Sequence, residues 1–116
     1  EGRTVQEGYK LNMPLEAGKT EPHSGNLPEC FSLCCCDNEN ITVETVKKAE
    51  DDNCIIVRFF ECYNKKTNAV IHFGFDFKKA YLCNLLEENI CELPTDGKSV
   101  TVPVKNYEIV TLKLER

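Results

Sequence analysis

A chain of 116 residues has room for one hydrophobic core and not for two. Its 14 Lys and Arg against 19 Asp and Glu give a net charge of -5, a field that repels phosphate backbones and anionic headgroups, so neither nucleic acid nor a membrane surface is an expected partner. Hydrophobic residues at 41% and charges of both signs at 28% are the composition of a folded domain, and no apolar run approaches the roughly 20 residues of a membrane helix.

The first residues lack the basic start and apolar middle of a signal peptide, and a chain that starts at Glu1 instead of Met is expected to be a piece of a longer polypeptide. Residues 1–29 hold four of the six Gly and three of the five Pro but no Cys or Phe. They are expected to form an irregular lead-in, with one apolar patch at residues 11–15 and a loop over 18–28. Residues 30–116 change character, to short runs rich in Val, Ile, Phe, Tyr and Thr separated by polar clusters.

The first run is 30–36 and the second 41–49, where Val46 breaks the alternation of Ile41, Val43 and Thr45 and predicts a bulge near Thr45 and Val46. Residues 54–63 are almost continuously apolar, as in a central strand, and the polar loop 64–68 predicts a hairpin over 54–77. In its second arm Ala69, Ile71, Phe73, Phe75 and Phe77 share one face, which must be core. Residues 79–86 read as strand and turn, Asp96-Gly97 as a turn, 99–104 as an edge strand because it contains Pro103, and 107–114 as the last strand. Seven strands and no helix predict an all-β fold, an antiparallel β-sandwich of about seven strands with an irregular N-terminal lead-in.

Catalytic motifs are missing: there is no nucleophile elbow, no zinc-protease helix and no glycine-rich phosphate loop. The eight cysteines, Cys30, Cys34, Cys35, Cys36, Cys54, Cys62, Cys83 and Cys91, contain no C-x-x-C pair, so zinc is disfavoured. Free thiols filling the core are preferred to a disulfide framework. His23 and His72 read as surface residues, and the carboxylate pairs Asp51/Asp52 and Glu87/Glu88 as solvated turns. The unusual residue is Arg58, a guanidinium inside an apolar strand that needs a carboxylate or several carbonyls. Glu61 is the nearby candidate, but residues three apart point to opposite faces of a regular strand, so direct pairing needs a bulge or a turn of the strand end, and a bridge to another strand or to a larger parent protein is the preferred role of Arg58. Asn40-Ile41-Thr42 fits an N-glycosylation sequon, relevant only to a secreted protein.

Several segments carry a resemblance when taken in order. Tyr9-Lys10-Leu11-Asn12-Met13-Pro14-Leu15, the stretch from Thr42 to Glu50, Ile56-Val57-Arg58-Phe59-Phe60-Glu61, Phe73-Gly74-Phe75, Asn84-Leu85-Leu86-Glu87-Glu88 and Tyr107 to Leu112 resemble successive parts of the C-terminal β-sandwich region of family-38 glycoside hydrolases, the α-mannosidases. The resemblance runs from about Tyr9 to Leu114 and is greatest to the cytosolic or vacuolar type, which implies a cytoplasmic or vacuolar parent, with a secretory one the alternative. It implies a parent enzyme that removes α-linked mannose with a zinc ion and a catalytic Asp in an N-terminal domain. None of those positions lies in this chain, so no catalytic, cofactor or metal residue is carried over, and Arg58 and Glu61 stay structural candidates. The implied partners are the remaining domains of the same polypeptide and, through them, a mannose-containing oligosaccharide, with exposed apolar patches on this domain. The alternatives are a separate carbohydrate-binding domain, for which Tyr63, Tyr81 and Tyr107 are the aromatic candidates, or a disulfide-stapled extracellular one.

Overall fold

The computed structural model describes residues 2–116, in two compact units that meet between Phe31 and Ser32. The first unit contains α1 (Thr4–Asn12), a helix where the sequence predicts none. Gly8 in its middle obscures the helical signal, but Lys10 Nζ reaches Glu7 Oε1 at 2.7 Å and Asn12 Nδ2 donates to the Gly8 carbonyl at 2.8 Å. The helix stops ahead of Pro14, which disfavours helical dihedrals in the residue before it. No residue of α1 is buried, and the following stretch to Phe31 has no regular structure.

The second unit is built from β1 (Cys34–Cys36), β2 (Ile41–Lys48), β3 (Ile55–Glu61), β4 (Thr67–Phe73), β5 (Lys79–Cys83), β6 (Asn89–Leu93), β7 (Ser99–Val104) and β8 (Ile109–Glu115). They form a three-stranded sheet in the order β1-β4-β7 and a five-stranded sheet in the order β2-β3-β8-β5-β6, every pair antiparallel. This is the all-β sandwich expected from the sequence. Between the sheets lie Val57 and Phe59 of β3 and Val110, Leu112 and Leu114 of β8, facing Ala69, Ile71 and Phe73 of β4 and Val100, Val102 and Val104 of β7. Phe73 meets Phe77 edge-on with ring centroids 5.3 Å apart, so the face predicted as core is core.

Several details differ from the sequence reading. The hairpin predicted over 54–77 does not form, because β3 and β4 lie in opposite sheets and the chain between them crosses the core. Both strands present an apolar face, and that signal is satisfied equally by strands beside each other or facing each other across the core. Asn64, with φ of 59°, makes the sharp change of direction. The Asp96-Gly97 turn likewise joins β6 in one sheet to β7 in the other: Asp96 Oδ1 accepts from the N–H groups of Lys98 at 2.9 Å and Ser99 at 2.6 Å, and Gly97 takes φ of 85°.

The strand β6 is the eighth, unpredicted because this edge segment is largely exposed on both faces and carries no alternation. β1 is shorter than the 30–36 run, and the strand expected over 79–86 ends at Cys83. The bulge in β2 falls between Val43 and Thr45, beside the place expected, and Pro103 does sit on an edge strand, β7. Among the described residues no helix is long and apolar enough to cross a membrane.

Candidate functional site

Two polar assemblies in the sandwich hold its loops in unusual positions. The first is centred on Glu61, the last residue of β3, which is only 1% exposed and turns inward with Val57 and Phe59. A buried carboxylate needs donors at every lone pair it can satisfy. Its Oε1 accepts from Asn40 Nδ2 at 2.9 Å and the Tyr63 N–H at 2.8 Å, and its Oε2 from the Tyr107 N–H at 2.9 Å. Burial alone would raise the pKa, but the donors from Tyr107, Asn40, Tyr63 and Lys65 outweigh it and bring it down to about 2. Tyr107 is held at φ of 55° and is 65% exposed. Asn106 Nδ2 ties this loop to the Asn64 carbonyl at 2.6 Å, so one carboxylate organises both connections at this end of the sandwich.

Asn40 was read only as half of a sequon. In the fold it is buried, and its amide nitrogen is committed to Glu61, to the Lys65 carbonyl at 3.2 Å and to Thr67 Oγ1 at 2.7 Å. A glycan on that nitrogen is incompatible with this arrangement.

The second assembly is a strap, residues 84–88, folded over the outer face of the five-stranded sheet. Asn84 starts it: its Oδ1 accepts from the N–H groups of Leu86 at 2.9 Å and Glu88 at 3.1 Å. Glu87, at φ of 66°, reaches across to β2, where its carboxylate meets Lys47 Nζ at 2.8 Å and accepts the Glu50 N–H at 3.0 Å. The Lys47 ammonium, then that N–H, hold the Glu87 carboxyl below its ordinary range. Lys47 also pairs with Glu50.

Arg58 is the middle support of the strap. Its Nε donates to Thr111 Oγ1 on β8 at 3.2 Å and its Nη2 to the Leu85 carbonyl at 3.4 Å. The structure therefore does not bring Arg58 and Glu61 together; they point to opposite faces of β3, as strand periodicity requires. Ile56, on the same outer face as Arg58, is fully buried and is flanked in register by Lys47 and Lys113. Lys113 pairs with Asp52 at 2.6 Å, and that bond, then the Cys54 N–H, lower the Asp52 pKa to about 2. Burial, then the Asp52 charge, push the Cys54 thiol up to about 11.

The result is a strap whose polar groups are held by the outer face of the sheet while its two leucines stand free. Leu85 is 63% and Leu86 77% exposed on the strap, and Ile109 of β8, opposite Phe60, is exposed on the sheet. The anchors Asn84, Glu87 and Lys47 were missed by sequence reasoning. An Asn followed at two and four residues by backbone it can cap is the one signal that was present.

The remaining candidates are scattered. Among the described residues no three His, Cys, Asp or Glu side chains are grouped to hold a metal ion. Glu88 Oε2 is taken by Asn84 Nδ2 at 2.6 Å, and no acid/base pair is assembled from Asp51/Asp52 or Glu87/Glu88. Tyr63 and Tyr81 are half-buried and Tyr107 is exposed. All eight cysteines are free thiols, and the core-filling role fits only some: Cys83 is buried and Cys34 and Cys36 pack on the core, whereas Cys30, Cys35 and Cys91 are exposed.

Comparison with curated proteins finds no match. The model of the family described as "Glycosyl hydrolases family 38 C-terminal beta sandwich domain" matches residues 40–112, which include every residue of the Glu61 assembly and of the strap. By that match, over more than half of its length, the chain belongs to the glycosyl hydrolase family 38 C-terminal β-sandwich domains.

Proposed function

We infer that the chain is a non-catalytic C-terminal portion of an α-mannosidase of the cytosolic or vacuolar type, which packs on the catalytic region of the same polypeptide through the strap face. The observation that carries this reading is the exposure of Leu85 and Leu86 on a loop whose backbone is fixed by Asn84, Glu87 and Arg58. Pinning two leucines into water is unfavourable unless another surface covers them. The parent supplies the zinc and the nucleophilic carboxylate for removing α-linked mannose from an oligosaccharide, in the cytoplasm or vacuole, and this domain supplies apolar area and rigidity.

An antibody raised to the chain tests the reading. Immunoprecipitation from source cells should recover a polypeptide several times larger than this chain that cleaves an aryl α-mannoside when supplied with zinc or cobalt. A polypeptide of this chain's own size without activity overturns it, and binding of mannosides by that small species would assign the domain a separate carbohydrate-binding role instead. In the large polypeptide, Leu86→Asp should lower thermal stability while leaving the isolated domain's stability unchanged.

A further inference from the structure

The outer face of the three-stranded sheet carries a second group of reactive side chains, remote from the strap in the fold's layering. In β1, Cys34 and Cys36 pack against the core, so strand alternation turns Cys35 outward, where it is exposed. In β4, Ile71 and Phe73 point inward and His72 outward. The register places Cys35 directly opposite His72. The Gly74 N–H donates to the Leu33 carbonyl at 3.1 Å, which makes Cys35 and His72, two residues further along, a hydrogen-bonded pair with Cβ atoms about 5.5 Å apart. Cys35 and His72 are thus cross-strand neighbours on this outer face, with no hydrogen bond between thiol and ring in the resting arrangement.

Asp37, just beyond β1, completes the arrangement with its Oδ2 at 2.9 Å from His72 Nε2. An ionised carboxylate can only accept, so it selects the tautomer in which Nε2 carries the proton. Nδ1 is then the ring's acceptor, the atom that a rearranged Cys35 thiol would have to reach to give up its proton. A thiol, an imidazole base and a carboxylate that orients the base are the parts of an activated nucleophile. Exposed Cys91 provides the contrast, because its register partner on β5 is Leu82.

We propose that Cys35 is a nucleophilic thiol, assisted by His72 and Asp37, that exchanges with small disulfides to form a mixed disulfide on this face of the sandwich. In the step, His72 Nδ1 takes the Cys35 proton and the thiolate sulfur attacks one sulfur of the disulfide. A new S–S bond forms, the old one breaks, and the departing thiolate takes the proton from His72. The disulfide is the oxidant: one of its sulfurs leaves reduced as a thiol, and Cys35 becomes oxidised.

The test treats the reduced 116-residue chain briefly with oxidised glutathione, quenches with acid, and locates the adduct by fragmentation mass spectrometry that separates Cys34, Cys35 and Cys36. Cys35 should be modified roughly tenfold faster than Cys91 in the same molecules, less than the roughly 10²–10⁴-fold of a fully positioned base because the site is open to solvent. His72→Gln should bring Cys35 down to the rate of Cys91 without changing Cys91 itself, and Asp37→Asn should produce part of that loss. Because Cys91 is an internal reference, a general loosening of the fold would raise both rates and not remove the difference. Equal rates for Cys35 and Cys91, an unchanged ratio in His72→Gln, or an adduct that forms first on Cys34 or Cys36 would each overturn the proposal.

Discussion

Replacing Glu61 by Gln keeps the shape of the side chain and removes the charge that two loops are built around. Gln retains one carbonyl oxygen for Asn40 and the Tyr63 N–H, but its NH2 then faces the Tyr107 N–H, donor against donor. Losing one charge-assisted bond and stranding a buried donor costs on the order of 2–3 kcal/mol, a large part of what holds a small domain together. The pH dependence gives a second, independent magnitude. The Glu61 carboxyl lies at about 2 in the fold against an ordinary 4.5, a gap worth on the order of 3 kcal/mol. Because the folded value is the lower one, this stabilisation is complete above about pH 5 and is lost as pH falls through 4.5 toward 2. Urea unfolding of the wild-type and Glu61→Gln chains from pH 7 down to pH 2.5 should show a stability difference that is constant in the neutral range and shrinks steadily in acid. A difference below about 0.5 kcal/mol at pH 7, the scatter of ordinary surface changes, or one that does not change with pH, would refute the role given to this carboxylate.

Other expectations concern the turns and the strap. Gly97→Ala should cost about 1–2 kcal/mol in thermal or urea unfolding, since the position has φ of 85° and an added Cβ would come 3.2 Å from the Phe77 carbonyl oxygen. Glu87→Gln should speed proteolytic cleavage within residues 84–88 while the rest of the sandwich stays resistant, because the strap loses its ion pair to Lys47 but the core loses nothing. Asp52 should titrate at about 2 by NMR, and Lys113→Met should move it back toward 3.8, the bond to Lys113 being the main cause of the shift. If the chain is expressed in a glycosylating secretory pathway, any fraction modified at Asn40 should be protease-sensitive, and the protease-resistant fraction should carry no glycan there.

The legibility of this sequence depended on which physical signal each element carried. The Phe73, Phe75 and Phe77 alternation identified a core face, and Pro103 identified an edge, because burial and a missing N–H are properties of single residues. Pairing is different. Residues 54–63 and 69–77 each announce a strand, but whether they lie side by side or face each other depends on Asn64 and on Glu61 capturing backbone groups from two loops, which no local pattern encodes. The strand β6 left no alternation to find because only Leu93 at its end packs against the core. At the candidate site, Arg58 was conspicuous as a charge in an apolar run, yet its partners are a hydroxyl and a carbonyl brought in from β8 and the strap. The buried state of Asn40 was invisible for the same reason: its partners come from a loop more than 20 residues away.

The order of strands in the larger sheet has a consequence for biosynthesis. The hairpins β2-β3 and β5-β6 can each pair as soon as they are made, but β8, the last strand to be synthesised, lies between them and supplies every bond that joins one to the other. Until it emerges from the ribosome the two hairpins have no shared sheet, and the core between the sheets lacks Val110, Leu112 and Leu114. The five-stranded sheet is thus joined only when β8 is made, so a nonsense or frameshift change just ahead of Ile109 would leave its two hairpins without the strand that connects them. Such truncated products would display two adhesive strand edges and be early substrates for chaperones and quality-control proteolysis.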